Sequence, residues 1–177
     1  MLYTVEIRFL CPDEEPAWNA WYDQQLGRML QIPGLDTAQR FRRRGSASEY
    51  LAMYSIRQAA VLQGAAYRKF AGAGPRSPWR DYIRRRRNLY GGIRIAPAVA
   101  NGEILLLGEE GTVMRLGARI PLRVLRAVAL DKDPATRALA VVDREQTPGK
   151  AHADAGDLAT YEPIGPQLTS LRREQIG

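Results

Sequence analysis

With 177 residues, 45% of them hydrophobic, the chain can bury a real core and falls outside the composition of disordered proteins. No apolar run approaches the roughly 20 residues of a membrane-spanning helix, and no leader pattern opens the chain. A single cysteine excludes an internal disulfide and a cysteine zinc cluster. We therefore expect a cytoplasmic protein without a membrane partner. The net charge of +7 reflects arginine runs at 42–44 and 84–87. Such runs can bind nucleic acid, but few aromatic residues accompany them. A solvated basic surface is therefore the simpler interpretation.

The first predicted element is a strand over residues 2–10, where apolar and polar residues alternate. Pro12 breaks this pattern, and a helix follows with Asp13 as its cap and Pro16 in its first turn. The helix carries an apolar stripe and ends at Pro33-Gly34. The two faces of the strand are Tyr3, Val5, Ile7 and Phe9 on one side, and Thr4, Glu6 and Arg8 on the other.

The following elements complete a first half of the chain. Residues 37–43 and 50–56 are predicted strands joined as a hairpin, and residues 59–70 are a predicted helix. A short helix is predicted from Ser77 to about Arg86, followed by a strand over 88–95. The order β-α-β-β-α-β is that of the ferredoxin-like unit, whose sheet carries helices on one face only. The other face must therefore be covered by another part of the molecule.

The rest of the chain again contains strand-like segments around a central hairpin, while its helices are barely visible in the short stretch 112–120. We therefore predict two halves, a ferredoxin-like unit over residues 1–95 and a degenerate second copy over residues 96–177. The predicted strands of the second half are 103–108, 124–131, 137–143 and 158–162.

Several short motifs of the first half occur in a characteristic order. They are Trp18-x-x-Trp21-Tyr22-Asp23, Met29-Leu30-Gln31-Ile32-Pro33-Gly34, Ala38-Gln39-Arg40-Phe41, Tyr50-Leu51-Ala52-Met53-Tyr54, Ala65-Ala66-Tyr67-Arg68, Ser77-Pro78-Trp79 and Arg87-Asn88-Leu89-Tyr90. Over roughly residues 1–95 the chain thus resembles the EthD-like branch of the dimeric α/β-barrel superfamily. The segment from Tyr161 to Pro166 is similar to the fourth-strand exit of such units.

This resemblance implies an α+β fold in which tandem ferredoxin-like repeats form a dimeric-α/β-barrel-type structure, the second repeat having reduced helices. The superfamily includes cofactor-free monooxygenases, isomerases, cyclases, lyases, haem-dependent enzymes and proteins without known activity, so the fold does not select a reaction. Relatives often carry a histidine in a Tyr-Asp-x-x-His pattern. Here no histidine follows Asp23, which argues against a mechanism that uses that group.

Four residues are candidates for catalysis. If the apolar face of the first strand packs on the helices, Glu6 and Arg8 point into the barrel, where a partly desolvated carboxylate suits proton transfer; pairing with neighbouring charges is the alternative. Arg40 could bind a carboxylate or enolate oxygen, or lie in solvent. Tyr54 could donate a hydrogen bond to a substrate carbonyl, although a buried tyrosine with a satisfied hydroxyl is also common.

Five residues are candidates for substrate binding. Trp21 and Trp79 could line a pocket or simply pack in the core, and Tyr90 could contact a substrate carbonyl. Asp23 belongs to the helix motif, where a packing role competes with a functional one. His152, the only histidine, lies in a polar stretch and could act as a lid residue or an idle loop side chain.

The sequence therefore predicts a small-molecule enzyme without a nucleotide cofactor, acting on an apolar, oxygen-bearing metabolite by proton transfer, cyclisation, isomerisation, lyase chemistry or oxygenation. A non-catalytic binding or accessory protein for a hydrophobic metabolite is the alternative. No phosphate-binding glycine loop or metal-ligand cluster is present in the sequence, so neither a cofactor nor a metal is predicted. The sequence is compatible with a homodimer, and it does not decide whether the two halves pair within one chain or between two chains.

Overall fold

The computed structural model describes residues 1–70, 77–109, 111, 121–146 and 158–170. Within these ranges the chain forms nine strands and two α-helices, together with short 3₁₀ turns. The elements are β1 (Leu2–Phe9), α1 (Glu15–Met29), β2 (Leu35–Arg43), β3 (Glu49–Ile56), α2 (Ala65–Phe70), β4 (Ile83–Gly91), β5 (Glu103–Gly108), β6 (Arg123–Leu130), β7 (Thr136–Asp143), β8 (Leu158–Pro163) and β9 (Leu168–Thr169).

Strands β1 to β8 close into an eight-stranded antiparallel barrel. Their order around the ring is β3-β1-β4-β6-β7-β5-β8-β2, and pairing of β2 with β3 closes it. The short strand β9 extends the pairing along β2, where Leu168 lies opposite Ala38. The predicted α+β barrel is thus confirmed, and it closes within a single chain.

Each set of four consecutive strands follows the same spatial order. In the first set the order is β2-β3-β1-β4, and in the second it is β6-β7-β5-β8. The sets meet at two seams, β4 with β6 and β8 with β2. Because edge strands pair across both seams, no barrel strand is left with an open edge.

The alternating pattern of β1 separates two cores, as predicted. Tyr3, Val5, Ile7 and Phe9 lie under α1 and α2 in a core outside the barrel. Leu2, at the start of the same strand, points inward. The buried side chains that fill the inside of the barrel are Leu2, Phe41, Leu51, Met53, Tyr90, Leu105, Leu107, Leu125, Leu139 and Tyr161.

The linker between the two sets of strands plugs one end of the barrel. Ile93, Ala96 and Val99 are buried against the inner core. The side chain of Gln39 donates to the Val99 carbonyl over 2.7 Å and accepts from the Val99 amide over 3.0 Å. Because these bonds satisfy the polar groups of a buried linker, that end of the barrel is firmly closed.

Several predicted boundaries were wrong. The helix predicted to extend to about Arg86 is only a 3₁₀ turn over Arg80–Tyr82. The strand predicted over 88–95 is β4, which begins at Ile83 and ends at Gly91. The helix predicted over 59–70 is divided into a 3₁₀ turn and α2, with extended Gly64 between them. A glycine has low helix propensity, which explains the break. The predicted short stretch 112–120 lies outside the described residues.

Candidate functional site

A small aromatic cavity lies between the two helices and the outer surface of the sheet. It encloses about 50 Å³ and has one open side. We call it the aromatic cavity; its lining residues are Tyr3, Val5, Ile7, Trp18, Trp21, Tyr22, Gln25, Met29, Tyr54, Tyr67, Ile83 and Arg85.

Helical and strand periodicity bring these side chains together. On α1, Trp18, Tyr22, Gln25 and Met29 recur at spacings of three or four residues and therefore share one face of the helix. On the sheet, Tyr3 of β1 lies directly opposite Tyr54 of β3, and their rings stack with centroids 5.5 Å apart.

The polar groups of the cavity are tyrosine hydroxyls, indole N–H groups, the Gln25 amide and the Arg85 guanidinium. The Tyr3 and Tyr67 hydroxyls share a 2.8 Å hydrogen bond. Burial raises the pKa of Tyr54 and of Tyr3 well above the ordinary value, and neighbouring tyrosines raise both further, so these phenols stay protonated. The buried Trp18 Nε1 has no hydrogen-bond partner among the described residues. A ligand oxygen here would meet donors rather than carboxylates.

The Arg40 side chain packs between α1 and the sheet and does not point into the barrel. Its side chain is 2% exposed, and its guanidinium lies 4.7, 4.4 and 5.0 Å from the ring centres of Trp18, Tyr22 and Tyr50. Its Nη1 donates to the Asp23 carboxylate over 3.1 Å. Arg40 and Asp23 therefore support the helix that lines the aromatic cavity, and Arg40 does not reach the barrel interior.

Met29 limits the size of the cavity. A volume of about 50 Å³ holds a few water molecules, whereas a benzene ring needs a space on the order of 150 Å³. Met29 is 4% exposed, and methionine is the most adaptable apolar side chain in this lining. A ring-sized ligand must therefore displace Met29 or the half-buried Trp21.

Replacing Met29 with alanine should change stability and ligand affinity in opposite directions. Loss of the buried side chain should lower the free energy of unfolding by about 2–4 kcal/mol. The same change should strengthen binding of phenol, because the ring then fits without displacing a side chain. Chemical denaturation and a fluorescence titration measure the two effects. Weaker phenol binding by a folded Met29→Ala variant would contradict this role.

The second polar region lies at the unplugged end of the barrel. We call it the barrel mouth and define it by the charged residues of two cavities and one tyrosine, which are Glu6, Arg8, Arg43, Glu49, Arg84, Arg85, Arg86, Glu109, Asp133, Arg137 and Tyr161. Arg86 Nη2 donates to Glu6 Oε2 over 2.7 Å, and Arg137 Nη2 donates to Glu6 Oε1 over 3.1 Å. Glu6 thus forms ion pairs with neighbouring arginines, which was the alternative to a free carboxylate suited to proton transfer. Cavities of about 340 and 290 Å³ open around this cluster.

The structure distributes the predicted site residues over several places. Tyr54 and Trp21 line the aromatic cavity, whereas Glu6 and Arg8 lie at the barrel mouth. Tyr90 lies inside the barrel, and its hydroxyl donates to the Pro134 carbonyl over 3.4 Å.

Trp79 packs edge-on against Phe9 with ring centres 6.0 Å apart and does not line the aromatic cavity. Its buried Nε1 has no hydrogen-bond partner among the described residues. His152 lies outside the described residues.

Sequence reasoning missed three tyrosines of the aromatic cavity, Tyr3, Tyr22 and Tyr67. Tyr3 lies on the apolar face of β1 and Tyr22 belongs to the helix motif, and the signal available was that each of these otherwise apolar surfaces carries a hydroxyl group. It also missed Arg137 and Tyr161 at the barrel mouth. These lie more than a hundred residues from Glu6 in the chain, so no local pattern links them.

None of the described helices has the length and apolar character to cross a membrane. Across the same described ranges, no group of three or more histidine, cysteine, aspartate or glutamate side chains is arranged to hold a metal ion.

Solved structures share this fold along nearly the whole chain. A protein described as an anthrone oxidase-like protein superposes with a TM-score of 0.57 at 11% identity, covering 96% of this chain and 93% of its own. A candidate monooxygenase from Lactobacillus acidophilus superposes with a TM-score of 0.54 at 6% identity, with 96% of both chains covered. One from Fusobacterium nucleatum gives 0.52 at 8% identity, covering 96% of this chain and 95% of its own.

No family model matches the sequence, and no curated protein matches it either. At identities of 6–11% the structural likeness concerns the fold alone. The chain therefore has the dimeric α/β-barrel type of fold, closed here within one polypeptide.

Proposed function

We propose that this chain is a small-molecule enzyme that binds an apolar, aromatic metabolite with a phenol or carbonyl oxygen in the aromatic cavity. The observation that carries the proposal is the chemistry of that lining, in which tyrosine hydroxyls, the Gln25 amide and the Arg85 guanidinium occur among apolar side chains. The Trp18 N–H adds a donor that has no partner among the described residues. Ligand sites are typically apolar with a few convergent polar groups.

The proposed chemistry is stabilisation of an oxygen anion. When a carbon next to a carbonyl, or the hydroxyl group of a phenol, loses a proton to solvent, negative charge develops on the oxygen, and preorganised O–H and N–H donors lower the energy of that state. Return of the proton to another atom gives an isomer. Reaction of the carbanion with dioxygen forms a new C–O bond, and the reduced dioxygen takes up a proton to give a hydroperoxide. Loss of one water molecule from this hydroperoxide, by cleavage of its O–O bond and of a C–H bond, leaves a new carbonyl group. The names of the structural neighbours support the oxygenation branch.

Glu6 and Arg8 stand apart from this proposal. They occupy the opposite face of β1 from Tyr3, so a ligand in the aromatic cavity cannot touch them. The acid–base role predicted for them requires a substrate at the barrel mouth instead.

We also infer from the repeated strand order that residues 1–95 and 96–177 are copies of one ferredoxin-like unit, the first related to the EthD-like branch.

Tyr54→Phe tests the proposed site. It removes one hydroxyl and keeps the ring, so the fold should persist while binding and turnover decline by about tenfold, the cost of a lost hydrogen bond to a developing charge. Tryptophan fluorescence with phenol and oxygen uptake with anthrone are the readouts. The matched control is Tyr82→Phe, because Tyr82 is exposed and outside the cavity lining. Equal effects of the two variants would refute the assignment.

A non-catalytic binding protein is the second candidate. It is favoured by one observation: none of the residues lining the aromatic cavity is a carboxylate or histidine that could accept a proton directly. In that case phenol or anthrone would quench the fluorescence and be recovered unchanged. Neither oxygen uptake nor exchange of substrate hydrogen for deuterium would then occur.

A further inference from the structure

The barrel mouth carries positive charge that its own carboxylates do not neutralise. Six arginines of the mouth face four carboxylates. Arg43 donates to Glu49 over 2.6 Å, and Arg86 donates to Glu6 over 2.7 Å and lies 3.6 Å from the Asp133 carboxylate. Within the described part of the chain, neither Arg8 nor Arg84 forms an ion pair with a carboxylate.

Strand register places these two free arginines against each other. Arg8 of β1 lies directly opposite Arg84 of β4, and like charges at opposed positions of a sheet repel. The cross-strand neighbour of Arg8 on β3 is Glu49, which already pairs with Arg43. The fold thus holds two unpaired positive charges together at the rim of an open cavity.

We propose that the barrel mouth is a second binding site, which takes a small organic oxyanion, a carboxylate or a phosphate monoester, between Arg8 and Arg84. Guanidinium groups bind these anions through paired N–H donors in fixed geometry. Bound there, the anion removes the repulsion between the two arginines.

The shape of the site favours a small organic molecule. The cavity next to Arg8 and Arg84 measures about 340 Å³, within the usual range for ligand sites and larger than a free phosphate requires. Ile7 and Tyr50 contribute to its wall, so an apolar group has contacts as well. A nucleic acid would instead follow an extended basic surface, whereas this site is concave and contains Glu6 and Glu49.

Both halves of the chain build the base of the site. Arg137 of β7 is 8% exposed, bonds to Glu6 from the far side, and has a buried Nε without a partner among the described residues. Tyr161 of β8 lines both mouth cavities. The Glu6 carboxylate thereby positions Arg86 and Arg137, and the arginines at the rim remain available to a ligand.

The test is calorimetric titration with benzoate, phenyl phosphate and the neutral analogue benzamide. Benzoate, phenyl phosphate or both should bind saturably, and the one that binds identifies the anion. Arg84→Gln should weaken this binding about tenfold or more and should raise the melting temperature of the free protein. The matched control Arg126→Gln makes the same charge change at an exposed position of β6 outside the mouth and should alter affinity less than twofold, on the order of experimental scatter.

Several results would overturn the site: no saturable binding up to about 10 mM, equal binding of benzamide, equal weakening by Arg126→Gln, or displacement of the ligand by a short single-stranded DNA. The outcome is separate from that for the aromatic cavity. Tyr54→Phe should leave benzoate and phenyl phosphate binding at the mouth unchanged, and Arg84→Gln should leave phenol binding unchanged.

Discussion

Replacement of Arg40 with alanine is expected to lower the free energy of unfolding by about 3 kcal/mol or more. The variant loses a side chain that is 2% exposed, and with it three contacts between a cation and aromatic rings. It also leaves the Asn19 side chain without the 2.5 Å hydrogen bond from Arg40 Nη2. Because these contacts hold α1 on the sheet, phenol binding in the aromatic cavity should weaken as well. Chemical denaturation followed by circular dichroism measures the stability change.

Two further variants identify the cause of that loss. Arg40→Met keeps most of the volume but not the charge, so it should recover part of the stability. Asp23→Asn removes only the ion-pair partner, whose side chain is 63% exposed, and surface ion pairs contribute less than about 1 kcal/mol. If Asp23→Asn were as destabilising as Arg40→Ala, the ion pair rather than the aromatic packing would hold the helix.

Alkaline pH is expected to destabilise the protein steeply from about pH 10 upward. Burial raises the pKa of Tyr3, Tyr22 and Tyr54 in the folded state above the ordinary tyrosine value of about 10. Between the unfolded and folded pKa values the unfolded chain has lost these protons and the folded chain still binds them, so stability declines as pH increases. Each of these tyrosines lowers the free energy of unfolding by up to about 1.4 kcal/mol per pH unit in this range.

The control for this effect removes one of the three phenols. Tyr54→Phe should reduce the slope of unfolding free energy against pH above pH 10 by about 1.4 kcal/mol per unit, because one fewer proton is released on unfolding. Tyr82→Phe, at an exposed position, should leave the slope unchanged. Urea denaturation at a series of pH values measures it. A stability that stays flat to pH 11, on the order of one unit above the ordinary tyrosine pKa, would contradict the burial of these hydroxyls.

Local patterns were sufficient for most strands. The alternation in residues 2–10 fixed both the extent and the buried face of β1, and residues 103–108 match β5. The arginine run at 84–87 was not sufficient, because identical consecutive side chains carry no periodicity. Pairing with β1 assigns Arg84 and Arg86 to the barrel side and Arg85 and Arg87 to the helix side.

The site was less predictable because it depends on contacts between distant parts of the chain. Alternation along β2 puts Arg40 and Arg42 on one face and Phe41 and Arg43 on the other. The alternation alone does not show that the face of Arg43 is the one that points into the barrel. Only the closed barrel determines which arginine reaches Glu6, since Arg137 arrives from β7 through pairing between β6 and β7.

A crystal structure of the protein with phenol bound is the most direct test of the aromatic cavity as the ligand site. We expect the ring between α1 and the sheet, with its oxygen within about 3 Å of the Tyr3 or Tyr54 hydroxyl or of Trp18 Nε1, and with Met29 displaced. A ligand ordered at the barrel mouth beside Glu6 and Arg8, with the aromatic cavity unchanged, would contradict the account.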